Sequence, residues 1–189
     1  MKRAATLLAA LALTACSLAP TVPPKAVYDL GPGAVSAASG GPLAWRIADV
    51  TSPPWLASEG IAYRLSFQQA QRLEHYRDSA WAAPPAALLT QRLRQQLAAT
   101  PGCAGRGPAL LSVNLDQFEQ QFTSATDSRA QLRLHATLWP AGGGTARQQA
   151  WTLERASAPD AAGAVRGLAQ AVDDWLPQLA AWLTADCRG

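Results

Sequence analysis

Histidine occurs only twice in this 189-residue chain, at His75 and His135, and lysine only at Lys2 and Lys25. That scarcity removes most metal and acid–base constellations at the outset. No H-E-x-x-H, G-x-S-x-G, Walker A or G-x-G-x-x-G stretch occurs. Gly102, Gly105 and Gly107 stand in the wrong order for a phosphate loop and follow no strand. His75, Asp78 and Ser79 fall close together but read as a polar turn, because triads assemble in space rather than in sequence. Asp173-Asp174 is one acidic step on a helix. No motif calls for a cofactor or a metal, and the chain is expected not to be an enzyme. Charged residues make up only 15%. The arginines are scattered without a basic block, which argues against a nucleic-acid groove.

Long apolar runs are missing as well. The stretch Ala4 to Ala15 is the longest, and it falls short of the roughly 20 residues needed to cross a hydrocarbon core. With Lys2 and Arg3 before it and small residues at its end, it has the order of an export signal. Leu13-Thr14-Ala15-Cys16 resembles a bacterial lipobox, in which the cysteine is diacylated and becomes the mature N-terminus. Residues 1–15 are therefore read as a lipoprotein signal peptide, 16–26 as a lipidated Pro-rich tether and 27–189 as one domain. Ordinary secretion with a chance Cys16 is the alternative. By resemblance to Gram-negative sorting signals, where Asp after the cysteine retains a lipoprotein in the inner membrane, Ser17 favours an outer-membrane lipid anchor on the periplasmic face.

With Cys16 carrying lipid, only Cys103 and Cys187 remain. In an oxidising compartment they are a candidate disulfide joining the end of the chain to its middle, with two free thiols as the alternative. By the chain-entropy model such a bridge contributes at most about 4.5 kcal/mol. Neither cysteine has C-x-x-C spacing.

The rest of the chain alternates. Val27 to Leu30 is a short strand candidate, and Gly31 to Pro42 a loop. Leu43-Trp45-Ile47 gives a second strand, and Ile61, Tyr63, Leu65 and Phe67 line one face of a third. Residues 72–76 are expected to return antiparallel after a short polar turn. Pro84-Pro85 opens a helix whose stripe is Leu89, Leu93 and Leu97. Leu111, Val113 and Leu115 then slip in phase to Phe118 and Phe122, predicting a bulge near Gln117. Residues 129–139 alternate most cleanly, Gly142-Gly143-Gly144 turns the chain, and 148–155 form another strand. A helix from about Pro159 to Thr184 closes the chain, with Pro177 expected to kink or split it. The class is α+β: two layers, a mostly antiparallel sheet with two amphipathic helices on one face.

Pro53-Pro54-Trp55-Leu56, Ile61-Ala62-Tyr63-Arg64, Leu73-Glu74-His75-Tyr76 and Trp81-Ala82-Ala83-Pro84-Pro85 with Leu88-Leu89 form an ordered set behind the lipobox. That set resembles the ABC-type transport auxiliary lipoprotein family, the PqiC/YmbA-like group, and Tyr28-Asp29-Leu30 fits its opening strand. The resemblance implies a periplasmic lipoprotein working with an ABC permease/ATPase complex and MCE-domain proteins that move lipids or other hydrophobic compounds. It offers no catalytic residue to transfer. A docking role makes Trp55, Tyr63 and Trp81 candidate interface anchors, with Pro54, Leu56, Arg64 and Pro84 beside them. The alternative is that the aromatics fill the gap between sheet and first helix. Exposed edges at the first or last strand would permit a homo-oligomer. A stand-alone carrier with an apolar pocket under its helices is the rival function.

Overall fold

The computed structural model describes residues 24–33, 45–98, 100 and 107–185. The expected signal peptide, most of the expected tether, the stretch 34–44 and all three cysteines, Cys16, Cys103 and Cys187, lie outside these. The strands are β1 (Ala26–Tyr28), β2 (Trp45–Ile47), β3 (Gly60–Leu65), β4 (Glu74–Trp81), β5 (Ala109–Phe122), β6 (Ser128–Trp139) and β7 (Arg147–Ser157). The helices are α1 (Ser66–Gln69), α2 (Pro85–Leu97) and α3 (Ala161–Thr184). A single helical turn, Pro54–Leu56, interrupts the run from β2 to β3.

All seven strands join one sheet in the order β1-β4-β3-β5-β6-β7, with β2 also on β5. Antiparallel pairing dominates, through β3–β4, β5–β6 and β6–β7. Three parallel pairings supplement it: β1–β4, β2–β5 and β3–β5. β2 and β3 lie one after the other along the same side of β5, against residues 109–111 and 119–122. Backbone bonds of Thr51 to Val113 and Leu115 fasten the chain between them. Residues 53–59 then swing out of the sheet and return. The expected bulge is present, since the β5–β6 register shifts between Leu115 and Gln117.

Alternation decides the two faces. Ala130, Leu132, Leu134, Ala136 and Leu138 of β6 are buried beneath the helices, as are Leu111, Val113, Leu115 and Phe118 of β5. α3 supplies Leu168, Val172, Trp175, Leu179 and Leu183, and α2 supplies Leu89, Leu93 and Leu97 to the same core. Gly167 lets α3 approach closely, because a Cβ there would stand 2.7 Å from the Ala130 Cβ. α3 runs unbroken through Pro177 rather than splitting, since Leu176 and Leu179 on either side of it are both buried against the sheet. The β6–β7 turn needs glycine: Gly142, Gly143 and Gly144 have φ of 82°, 92° and 130°. Phe67, expected on strand β3, instead sits in α1 and is exposed. The chain turns there as Arg64 Nη1 donates to the Ala70 carbonyl at 2.9 Å.

Among the described residues neither α2 nor α3 lies on the opposite face of the sheet. Only the end of the short α1 reaches it, where Arg64, paired with Glu119, holds the Ala70 carbonyl. That face is a grid of polar side chains: Asn114, Gln117, Glu119 and Gln121 of β5 face His135, Arg133, Gln131 and Arg129 of β6.

Candidate docking site

The excursion at 53–59 separates two grooves. Towards the helices lies one of about 620 Å³, walled by α2 through Ala86, Ala87, Thr90, Gln91 and Arg94, and by Val50 and Ala57 opposite. Its rim carries the Arg94 Nη2–Asp49 Oδ1 pair at 2.7 Å. Thr90 ties the two walls together: its hydroxyl donates to the Ala86 carbonyl and accepts from the Val50 amide at 2.9 Å. Towards the open sheet face lies a second groove of about 460 Å³, bordered by Pro53, Trp55, Asn114, Asp116 and His135. There the Thr51 hydroxyl donates to Asn114 Oδ1, and His135 Nδ1 lies 2.9 Å from Asp116 Oδ2.

The sequence-predicted anchors divide between surface and interior. Trp55 is 57% exposed and Pro54 is exposed beside it, at the crest between the grooves. Leu56, one residue on, is buried in the core. Trp81 is 1% exposed and packs against Phe118 with ring centroids 5.4 Å apart. Trp81 and Leu56 are therefore corrected from surface anchors to packing residues. As the last residue of β4, Trp81 turns inward to fill the space ahead of α2. Pro84 borders the helix-side groove, at the N-cap of α2. Tyr63 and Arg64 belong to neither groove. Tyr63 stacks on Tyr76 at 4.7 Å, and Arg64 pairs with Glu119.

Asp116, His135, Asn114 and Thr51 were not singled out from sequence. Outward positions on two alternating strands were the only signal. Their meeting depends on the cross-strand register and on the bulge that turns Asp116 towards His135. Among the described residues no group of three or more His, Cys, Asp or Glu side chains is placed to hold a metal ion.

Beyond these grooves, a buried polar network closes the far end of the sheet. Gln120 Nε2 shares its two hydrogens among Ser128 Oγ, Ser157 Oγ and the Ala158 carbonyl, all within 3.0 Å, and its Oε1 accepts from the Tyr76 hydroxyl at 2.6 Å. Burial, aided by the charge of Asp160 and by Tyr63, pushes the Tyr76 phenol up to about 12.

This layered arrangement is shared with solved bacterial proteins. A Xanthomonas campestris protein of the family DUF330 superposes with a TM-score of 0.68 at 20% identity, covering 85% of this chain and 95% of that one. An uncharacterised protein matches with a TM-score of 0.62 at 21% identity, over 83% of this chain and 97% of its own. No curated protein matches the chain. The fold is thus that of a known class of helix-covered sheet domains. Residues 28–180 match the model of the ABC-type transport auxiliary lipoprotein component, and the chain belongs to that family.

Proposed function

We propose that this protein is a non-catalytic adaptor, anchored by acyl chains on Cys16 and docking to the ABC permease/ATPase complex and MCE-domain partner of an envelope transport system. The cargo would be lipids or other hydrophobic compounds, and the anchor an outer-membrane one facing the periplasm. Family membership over residues 28–180 carries the reading. The helix-side groove supplies its contact surface. The groove is open, its floor offers Val50, Ala57, Ala86 and Ala87 to a partner side chain, and the Arg94–Asp49 pair gives it a polar rim. Pro84 stiffens its border at the start of α2. A disulfide between Cys103 and Cys187, tying the end of the chain to its middle, is part of the same proposal.

The stand-alone carrier is the weaker alternative, because side chains from Leu30 to Leu183 join in one core that fills the helix–sheet layer. The test is site-specific photo-crosslinking from Ala87 in native envelopes. Recovery of a permease, ATPase or MCE-domain protein is the expected result, and an uncrosslinked monomer would end the proposal. Mass spectrometry of the mature N-terminus checks the anchor separately: an unmodified residue 16 would remove it.

A further inference from the structure

A third groove, of about 510 Å³, runs between the edge strand β1 and the first half of α3. Val27, Leu30, Ala82, Val165 and Ala169 give it an apolar lining, and Arg166 stands exposed beside them. Val27 is 65% exposed although it is β-branched and apolar. Lys25, one step before β1, is exposed too. Neither Lys25 nor Arg166 enters an ion pair among the described residues, whereas the neighbouring acids are engaged. Asp29 Oδ1 accepts from the Gly31 amide at 2.7 Å, and Asp173 faces the Arg92 guanidinium. This edge of the sheet therefore combines bare apolar surface with uncompensated positive charge.

We infer that the β1 edge, with Val27, Lys25 and Arg166, is the side of the domain that lies on the phospholipid leaflet, an inference that rests on the acylation of Cys16 proposed above. The chain outside the structure says why. Eight steps separate Cys16 from Pro24, which at roughly 3.6 Å each is a reach of at most about 29 Å. Acyl chains at position 16 thus hold β1 close to the headgroups, so even a contact too weak to recruit a free protein persists. Apolar surface beside basic side chains is the chemistry that binds an anionic bilayer interface. The opposite edge of the sheet differs. β7 lies five strands from β1, or about 24 Å at roughly 4.8 Å per strand, and it exposes Gln148, Gln149 and Glu154. A partner strand is a poorer occupant of the β1 edge, because β1 offers a ladder only three residues long. The sheet stands on its β1 edge, with β7 directed away from the leaflet.

The test is photo-crosslinking of the purified full-length protein in vesicles of phosphatidylethanolamine and phosphatidylglycerol. A benzophenone amino acid replaces, one at a time, Val27, Ala82, Arg166 and Gln149, all exposed. Mass spectrometry of each sample reads both the acylation of Cys16 and any phospholipid adduct. Adducts are expected at 27, 82 and 166 and not at 149, on the β7 edge. With the probe at 82, Arg166→Glu should lower the adduct about fivefold or more, and phosphatidylcholine vesicles should lower it similarly. Val27→Asp should lower it as well. Circular dichroism should match the wild type in both variants, since neither side chain is in the core. Acylated protein with no adduct at 27, 82 and 166, or with as much at 149, would overturn the inference and leave the anchor standing. A Cys16 without acyl chains would overturn both. Adducts at 27 to a second copy of the chain in place of lipid would assign the edge to self-association and overturn the inference too.

Discussion

Arg64 grips Glu119 with two nitrogens across the seam between β3 and β5, Nε at 3.0 Å from Oε1 and Nη2 at 3.2 Å from Oε2. The Glu119 side chain is only 4% exposed, and Gln117 adds a third donor at 2.8 Å. A carboxylate so enclosed depends on its partners. Arg64→Met should therefore destabilise the fold by about 3 kcal/mol, because it strands a buried charge. The double variant Arg64→Met/Glu119→Met should recover most of that loss. Urea unfolding of the two variants and the wild type checks both statements.

Arg92 is a buried cation on α2 that spends one nitrogen on two carbonyls, Leu30 at 2.6 Å and Gly31 at 2.7 Å. β1 is only three residues long and has one neighbour in the sheet, so this clasp is a main hold on the segment that leaves the domain towards its N-terminus. Arg92→Gln should cost roughly 2 kcal/mol, in the range for hydrogen bonds to charged groups. The effect should be local. Hydrogen exchange is expected to quicken at residues 26–31 and to stay slow in β5 and β6.

The close seat of α3 on β6 depends on a missing methyl group. In Gly167→Ala the new Cβ would meet the Ala130 Cβ at 2.7 Å, and neither backbone can yield without disturbing its neighbours. Helix and strand must separate slightly, at an expected cost of about 1–3 kcal/mol. Ala130→Gly in the same chain should return part of it. Thermal melting of the two single variants and the double variant gives the coupling directly.

Tyr76 makes stability depend on alkaline pH. Its phenol ordinarily titrates at 10.0 and is raised to about 12 in the fold, first by burial, then by Asp160 and Tyr63. The folded state therefore holds the proton more tightly than the unfolded one. The contribution is whole below pH 10 and is lost as pH rises towards 12. Unfolding midpoints measured across that interval should fall, and Tyr76→Phe should flatten this part of the profile. The same variant leaves Gln120 Oε1 without its donor, so it should cost about 1 kcal/mol at neutral pH.

Much of this architecture is written locally. Residues 129–136 alternate in sequence and alternate in burial, because a strand covered on one face leaves no other solution, and only Thr137, buried on the outward phase, departs from it. The slip from Leu115 to Phe118 betrays the bulge for the same reason. The stripe of Leu89, Leu93 and Leu97 behind Pro84-Pro85 locates α2. What resists reading is everything fixed by pairing between distant segments. Nothing in Trp45–Ile47 or Gly60–Leu65 announces that both lie parallel to one strand, end to end. Trp55 and Trp81 each sit beside prolines in aromatic, apolar surroundings, yet one faces solvent and the other the core. The difference comes from the outward turn at 53–59, which directs Leu56 rather than Trp55 inward. Asp116 and His135 meet only because a bulge rotates the first towards the second, and no spacing along the chain encodes that meeting.

The placement of β2 and β3 in tandem along β5 has an evolutionary consequence. Both ladders close independently of the tip of the detour between them, so its exposed residues 54, 55, 57 and 58 can be exchanged while Leu56 keeps its seat in the core and the Glu59 carbonyl its bond from the Trp81 amide. Sister proteins could change what they recognise at this spot while inheriting the scaffold intact.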